Sequence, residues 1–335
     1  MSYIRTLLKD IKPKELGITD GHEHIVCRPS YWIEKGVDDL LLDDEEKSLL
    51  DMEDFKKHGG NSMVDATAID YGRDVEAVVR ISRKTGVNII GTAGFNKSFL
   101  WNAKIPKHLK PVIGDYDTFS SWIGKETLDS LVEFVRKEVE VGLEGTNYKA
   151  GQVKFGTGYN SITPLEEKTI RVIAEVHKLT GAPIHSHTEA GTMALEQIEI
   201  LESENIDLRN VSFGHMDRNI DLYYYDQIAS KGAFLSFDGL GKIKYGPESN
   251  RIGAIISLIK MGYLDQILIG GDTARKTYYK HYGYHSLGLE WILKRWIPRF
   301  ENECNIRGLD GKAMVYKILV DNPKRYLTFK VVRYV

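Results

Sequence analysis

Gly17-Ile18-Thr19-Asp20-Gly21-His22-Glu23-His24-Ile25-Val26 is a β-rich run that carries two imidazoles one residue apart. A strand projects residues i and i+2 to one face, so His22 and His24 can grip one ion side by side. Seven more such runs follow, near Ser62–Ile69, Val87–Phe95, Ala150–Phe155, Ala182–Thr188, Val211–His215, Ala233–Phe237 and Ile267–Gly271. Helical periodicity fills most intervals. In Leu165–Leu179 the apolar residues Ile170, Ile173, Val176 and Leu179 recur at three-residue steps. Thr163, Pro164 and Glu166 read as its capping box with proline at the first helical position, and Gly181 as its stop. Further helices are predicted over Asp74–Arg83, Glu126–Val141, Thr192–Glu204, Leu222–Ser230, Arg251–Met261 and Leu287–Phe300. Strand and helix alternating eight times predict an α/β fold with a parallel sheet, and eight repeats favour closure into a (β/α)8 barrel. The alternative is a doubly wound open sheet, but no Gly-x-Gly-x-x-Gly turn follows an early strand.

One domain over residues 1–335 is expected, because no Pro- or Ser-rich linker and no tandem repeat interrupts the pattern. The acidic run Asp38–Glu46 reads as a solvated insertion in the first loop. Lys and Arg total 45 against 47 acids, a net charge of −2. That balance gives no reason to expect nucleic acid or an anionic membrane as partner. No apolar run reaches the roughly 18–20 residues that would span a bilayer. The polar start, Met1 to Lys12, lacks the apolar core of a signal peptide. Cys27 and Cys304 are too few for a disulfide framework, so a reducing cytoplasm is the simplest compartment.

In a barrel the catalytic groups come from the C-terminal ends of several strands. Asp20-Gly21-His22-Glu23-His24, Val153-Lys154-Phe155, His185-Ser186-His187-Thr188, Gly214-His215-Met216-Asp217 and Ile269-Gly270-Gly271-Asp272 all fall there. An isolated His-x-His often binds nothing, and a lone buried histidine is usually a satisfied core residue. Here that reading would have to hold four times over. Four imidazoles and a carboxylate at one mouth suit zinc first, with manganese or cobalt as alternatives.

This pattern resembles the phosphotriesterase-like branch of the amidohydrolase superfamily, from about Leu16 to Leu327. The tail Asp321-Asn322-Pro323-Lys324-Arg325-Tyr326-Leu327 looks like that family's closing Asn-Pro helix. The resemblance implies two divalent metals at the C-terminal face of the barrel. His22, His24 and Asp272 would hold the first, and His187 and His215 the second. Lys154, carboxylated by carbon dioxide, would bridge them, and a bridging hydroxide would attack a lactone or phosphoester. Asp272 would take the proton and pass it towards the leaving oxygen. A lysine in the apolar context of Val153 and Phe155 is costly to bury charged, which suits conversion to a carbamate. Taken alone, a strand-end lysine reads as a solvated charge. His185 shares the inward face of His187 but matches no ligand position, and reads as a supporting or packing residue. Glu23 points away from the pair it separates. Asp217 could orient a ligand or be a solvated loop acid.

The loops after strands seven and eight, Asp238–Gly246 and Thr273–Tyr282, are rich in Gly, Lys, Arg and Tyr. Barrels commonly seat a phosphate at these two loops. The match looks closest to lactonases that open phosphorylated sugar lactones, and there Lys244, Arg275 and Tyr278 would clamp the phosphate. Asn96 and Lys97 would face sugar hydroxyls. The expected function is therefore hydrolysis of a phosphorylated sugar 1,4-lactone. An organophosphate triesterase or acyl-homoserine lactonase would call for greasier loops. A non-catalytic metal-binding barrel would fit a degraded ligand set, whereas all six ligand positions remain. Trp101, Trp122 and Trp291 could serve the interface of a homodimer.

Overall fold

The fold is described from a computed structural model over residues 2–284 and 286–330. Eight parallel strand positions follow one another in chain order. They are β1 (Thr19–Glu23), β2 (Ser62–Asp65), β3 (Asn88–Ile90 continuing as Thr92–Gly94), β4 (Gln152–Thr157), β5 (Ile184–Thr188), β6 (Val211–Phe213), β7 (Phe234–Phe237) and β8 (Ile267–Ile269). Each pairs with its neighbour in sequence order, from β1 to the first half of β3 and from its second half to β8. The ring closes where the Asp272 N–H donates to the His22 carbonyl at 2.8 Å. Gly270 permits that approach: a Cβ there would lie 2.7 Å from the His22 nitrogen. The barrel reading therefore holds, and the open sheet does not.

The predicted third strand is broken at Gly91 by a feature that the sequence did not announce. An antiparallel hairpin, Ile4–Arg5 with Asp10–Ile11, closes the N-terminal end of the barrel. Its Leu7 N–H donates to the Ile89 carbonyl, and a Cβ on Gly91 would sit 2.6 Å from the Leu7 side chain. The same end receives the Asn322–Leu327 helix. The Asn322 amide donates to the Leu264 and Ile267 carbonyls at 2.8 Å each, pinning the entry to β8.

Of the described helices, eight succeed the strands around the outside: α1 (Glu45–Lys57), α2 (Val75–Thr85), α3 (Leu128–Glu140), α4 (Pro164–Thr180), α5 (Ala194–Ser203), α6 (Leu222–Ala229), α7 (Glu248–Lys260) and α8 (Ile297–Ile306). The capping box of α4 forms as read: the Glu166 N–H donates to Thr163 Oγ1, and the Thr163 N–H donates to Glu166 Oε2 at 2.8 Å. The segment predicted as Leu287–Phe300 begins later, near Trp291, with a π-helical stretch over Ile292–Trp296. Trp101 and Trp122 are core residues, 0% and 2% exposed, so neither offers an interface aromatic. None of the described helices is long and apolar enough to cross a membrane.

The acidic run is not merely solvated. Asp44 caps α1 by accepting from the Lys47 N–H. Asp38 and Asp43 pair with Lys276, and Asp39 pairs with Arg275. The insertion after β1 is thereby stitched to the loop after β8, across more than 200 residues of chain.

Candidate metal centre

His22 and Lys154 lie within strands, while His24, His215 and Asp272 lie just beyond the end of theirs. His215 and Asp272 hold φ of 61° and 43°. Non-glycine residues seldom enter this left-handed region, and such strain gathers where a side chain must be aimed. All six expected ligands line one cavity at the C-terminal face, together with Lys244, Arg275, Tyr278, Asn96 and Lys97.

Two groups of donors emerge. His22 Nε2 and His24 Nε2 stand 3.9 and 3.7 Å from Asp272 Oδ1. His187 Nδ1 and His215 Nε2 face each other at 2.8 Å. The protons on the remaining nitrogens can be followed through their partners. Thr67 Oγ1 donates to Asp65 Oδ1, so its lone pair is free for a proton on His24 Nδ1, 2.8 Å away. That leaves His24 Nε2 unprotonated towards Asp272. His215 Nδ1 lies 2.6 Å from Asp238 Oδ1, and a carboxylate only accepts, so His215 Nε2 is unprotonated as well. Burial, reinforced by Lys154, holds His24 well below the usual imidazole range. Burial, then Arg218, lowers His215 to about 4. Burial, then Lys97 and His215, lowers His187. Neutral imidazoles with inward lone pairs are the form that binds a cation.

His22 adds a direct sign of fit. Its Nε2 is buried without a hydrogen-bond partner among the described residues, and its Nδ1 makes no hydrogen bond there but lies 3.2 Å from Asp238 Oδ2. Buried polar atoms are rarely left so. A divalent ion at Nε2 would satisfy one of them, and the His22, His24 and Asp272 atoms lie within 4.8 Å of one another.

Lys154 is 1% exposed, and its Nζ donates to the Ala66 carbonyl at 2.8 Å. Burial lowers it to about 8, against the opposing pull of Asp272, Asp70, Asp238 and Asp65. It is thus no solvated charge.

Asp272 divides its oxygens. Oδ1 faces the histidines, while Oδ2 accepts from Arg218 Nη2 at 2.7 Å and Lys242 Nζ at 2.8 Å. Burial opposes ionisation here, yet Lys242, His215 and Arg218 hold the carboxyl well below its usual range. Arg218 and Lys242 escaped the sequence reading, as did Asp238 and Glu189. Glu189 accepts from Lys97 and lies 2.9 Å from His187 Nε2. Lys97 is therefore engaged at the second histidine pair rather than free for a sugar hydroxyl. Asp217 is fully buried and paired with Arg251 at 2.7 Å, which excludes a solvated loop acid. His185 packs edge-on against His22, with ring centroids 4.8 Å apart, and ligand atoms of His185, His22 and Asp238 lie within 4.8 Å of one another. Glu23 turns away and accepts from the Thr273 N–H at 2.6 Å.

The cavity is strongly cationic. Lys97, Lys154, Arg218, Lys242, Lys244 and Arg275 line it, against the carboxylates Glu189 and Asp272. The Lys244 ammonium lies over the Tyr245 and Tyr278 rings, 4.7 and 5.5 Å from their centroids.

The phosphotriesterase family model matches residues 2–327. The chain belongs to the phosphotriesterase family. Among its relatives is a phospho-furanose lactonase of Mycoplasmopsis synoviae, 32% identical over 98% of this chain and 92% of that protein. A crystal structure of a lactonase from Listeria monocytogenes is 64% identical, with a TM-score of 0.98 over 98% of this chain and 100% of that one. A phosphotriesterase homology protein of Escherichia coli, solved with phosphate in its active site, is 28% identical, with a TM-score of 0.82 over 95% of this chain and 100% of that one.

Proposed function

We propose that this family member is a metal-dependent lactonase, one barrel domain over residues 1–335, that opens a phosphorylated sugar 1,4-lactone. The observation that carries the reading is the cavity itself, where side chains able to ligate metal share one lining with a cluster of lysine, arginine and tyrosine. The Mycoplasmopsis and Listeria relatives, named as lactonases, support the ester chemistry. The phosphate bound in the Escherichia coli relative supports the anion.

His22, His24 and Asp272 would hold one ion and His187 and His215 the other, with zinc the first choice and manganese or cobalt acceptable to the same ligands. Lys154, carboxylated, would supply the anion shared between them. When bound, such a pair provides hydroxide at neutral pH and polarises the carbonyl. In the hydrolysis this would serve, an oxygen from water joins the lactone carbonyl carbon as the bond from that carbon to the ring oxygen breaks. Asp272 accepts the proton released and passes it to the departing ring oxygen. Arg218 and Lys242 keep Asp272 ionised beforehand and fix which of its oxygens faces the histidines. Lys244, Arg275 and Tyr278 hold the phosphate, so that remote binding aligns the carbonyl.

An organophosphate or acyl-homoserine lactone pocket is disfavoured by five cations besides Lys154 around one cavity. The test is a panel of sugar lactones with and without a phosphate, assayed on zinc-loaded protein. The phosphorylated members should be turned over with a higher kcat/KM. Equal rates for both sets would remove the phosphate from the assignment, and no lactone turnover at all would remove the lactonase.

A further inference from the structure

Asp238 stands between histidines of the two ligand sets. It follows β7, which lies between β6 and β8 in the barrel, and it is fully buried. One oxygen, Oδ1, is 2.6 Å from His215 Nδ1. The other, Oδ2, is 3.2 Å from His22 Nδ1. The His215 N–H donates to both oxygens, at 3.1 and 3.0 Å, which fixes the carboxylate against rotation. No ligand position of the family reading includes it.

We propose that Asp238 is the positioning residue that couples the two metal sites, by imposing the same tautomer on one histidine from each. The inference rests on the metal reading above. A carboxylate offers only acceptors, so His215 Nδ1, hydrogen-bonded to it, must carry the proton, and the negative charge 3.2 Å from His22 Nδ1 favours a proton there over a lone pair. His22 and His215 then both present an unprotonated Nε2 to the cavity. Partners of this kind orient a ligating imidazole, and their loss typically costs about 10–100-fold in metal affinity. Here one carboxylate serves two rings from β1 and β6, so its removal reaches both ions.

An asparagine at this position separates the two effects. Its single carbonyl oxygen would stay with His215, where a backbone N–H and a ring N–H both require an acceptor. Its amide NH2 would then face His22 Nδ1. That group can only donate, so His22 would have to accept at Nδ1 and place its proton on Nε2, blocking that ligand. Asp238→Asn should therefore lose the ion held by His22, His24 and Asp272 and keep the one held by His187 and His215.

The experiment titrates zinc into metal-free wild-type and Asp238→Asn protein against a competing chelator, and counts zinc per protomer after dialysis. Wild type should show two sites. Asp238→Asn should show one site within about threefold of a wild-type affinity, the other weakened at least about tenfold. In a His22→Ala background, Asp238→Asn should change zinc affinity little further. Two sites of unchanged affinity in Asp238→Asn would overturn the proposal and leave the lactonase reading intact. A wild type that binds no zinc and opens no lactone would overturn that reading instead. Should Asp238→Asn not fold, imidazole nitrogen NMR on zinc-loaded wild type decides, with signals assigned through His22→Ala and His215→Ala. Protonated Nδ1 is expected on both rings, and a protonated Nε2 on His22 would refute the coupling.

Discussion

His187 Nδ1 and His215 Nε2, from neighbouring strands, lie 2.8 Å apart with their ring planes at 78°. With Asp238 holding the proton on His215 Nδ1, the pair must share a proton from His187 or a cation. The first arrangement requires Lys97, 3.2 Å from His187 Nε2, to donate there. The second lets His187 donate from Nε2 to Glu189 instead. Metal loading should thus stabilise the fold. At free zinc of 100 times the dissociation constant the gain is about 2.7 kcal/mol, read as a rise in Tm. His187→Ala and His215→Ala should each abolish most of that rise, whereas an unchanged rise would place the ion elsewhere.

Lys154 should take up carbon dioxide, a reaction of its neutral amine. With the side chain lowered to about 8, the neutral fraction grows as pH rises through that value. Bicarbonate-dependent uptake of metal by stripped protein should therefore be faster at pH 8.5 than at pH 6.5. Lys154→Ala should lose both metal and turnover, and a short carboxylic acid should restore part of each. A Lys154→Ala protein that kept two ions and full activity without added acid would exclude the bridge.

The candidate histidines and Asp272 were legible in the sequence because they combine metal-binding residue types with a repeated local context, the end of a β-rich run, whereas Lys154 was singled out only by the resemblance to the family. The barrel was legible for a similar reason: its strands and helices declare themselves in short windows. What the sequence left open depends on long-range placement. Nothing local distinguishes Arg218 and Lys242 from solvated loop cations; only the fold brings them both to Asp272. Asp217 reads equally as a ligand-orienting residue or a solvated loop acid, and only the fold brings Arg251, 34 residues on, against it. Asp238 was visible as the residue after a strand, but its two histidine partners come from β1 and β6. The break of β3 at Gly91 likewise follows from a hairpin whose polar sequence gave no sign of filling the barrel end.

Asp272 is held ionised by cations that a substitution can remove. Lys242→Met leaves Arg218 as the single strong donor to Oδ2, so the carboxyl should titrate at higher pH. The acid limb of the kcat/KM profile should then move upward, since the ionised form appears only at higher pH. Asp272→Asn removes the proton acceptor altogether and should lower kcat by roughly 10²–10⁴-fold. If kcat hardly moved while chemistry limits turnover, Asp272 would be a ligand without a part in proton transfer.

Arg275 offers the sharpest test of the substrate because Asp39 already holds one end of it. Asp39 Oδ2 accepts from Arg275 Nη1 at 2.9 Å, while its other oxygen accepts from the Thr277 N–H at 2.9 Å. One face of the guanidinium is fixed, and its remaining donors make no hydrogen bond among the described residues, which leaves them available to an anion. A charge-assisted hydrogen bond contributes about 1.5–3 kcal/mol, so Arg275→Met should cut kcat/KM for a phosphorylated lactone at least about tenfold. An unphosphorylated lactone should be barely affected. Lys244→Met should behave alike, and Tyr278→Phe should cost less, having removed one neutral donor. Asp39→Asn separates anchoring from charge: it retains an acceptor for Thr277 but loosens Arg275. It should therefore raise KM for the phosphorylated substrate by a smaller factor than Arg275→Met does. Were Arg275→Met to slow both kinds of lactone equally, the pair would be a strut between the loops after β1 and β8, and the phosphate would have to bind elsewhere.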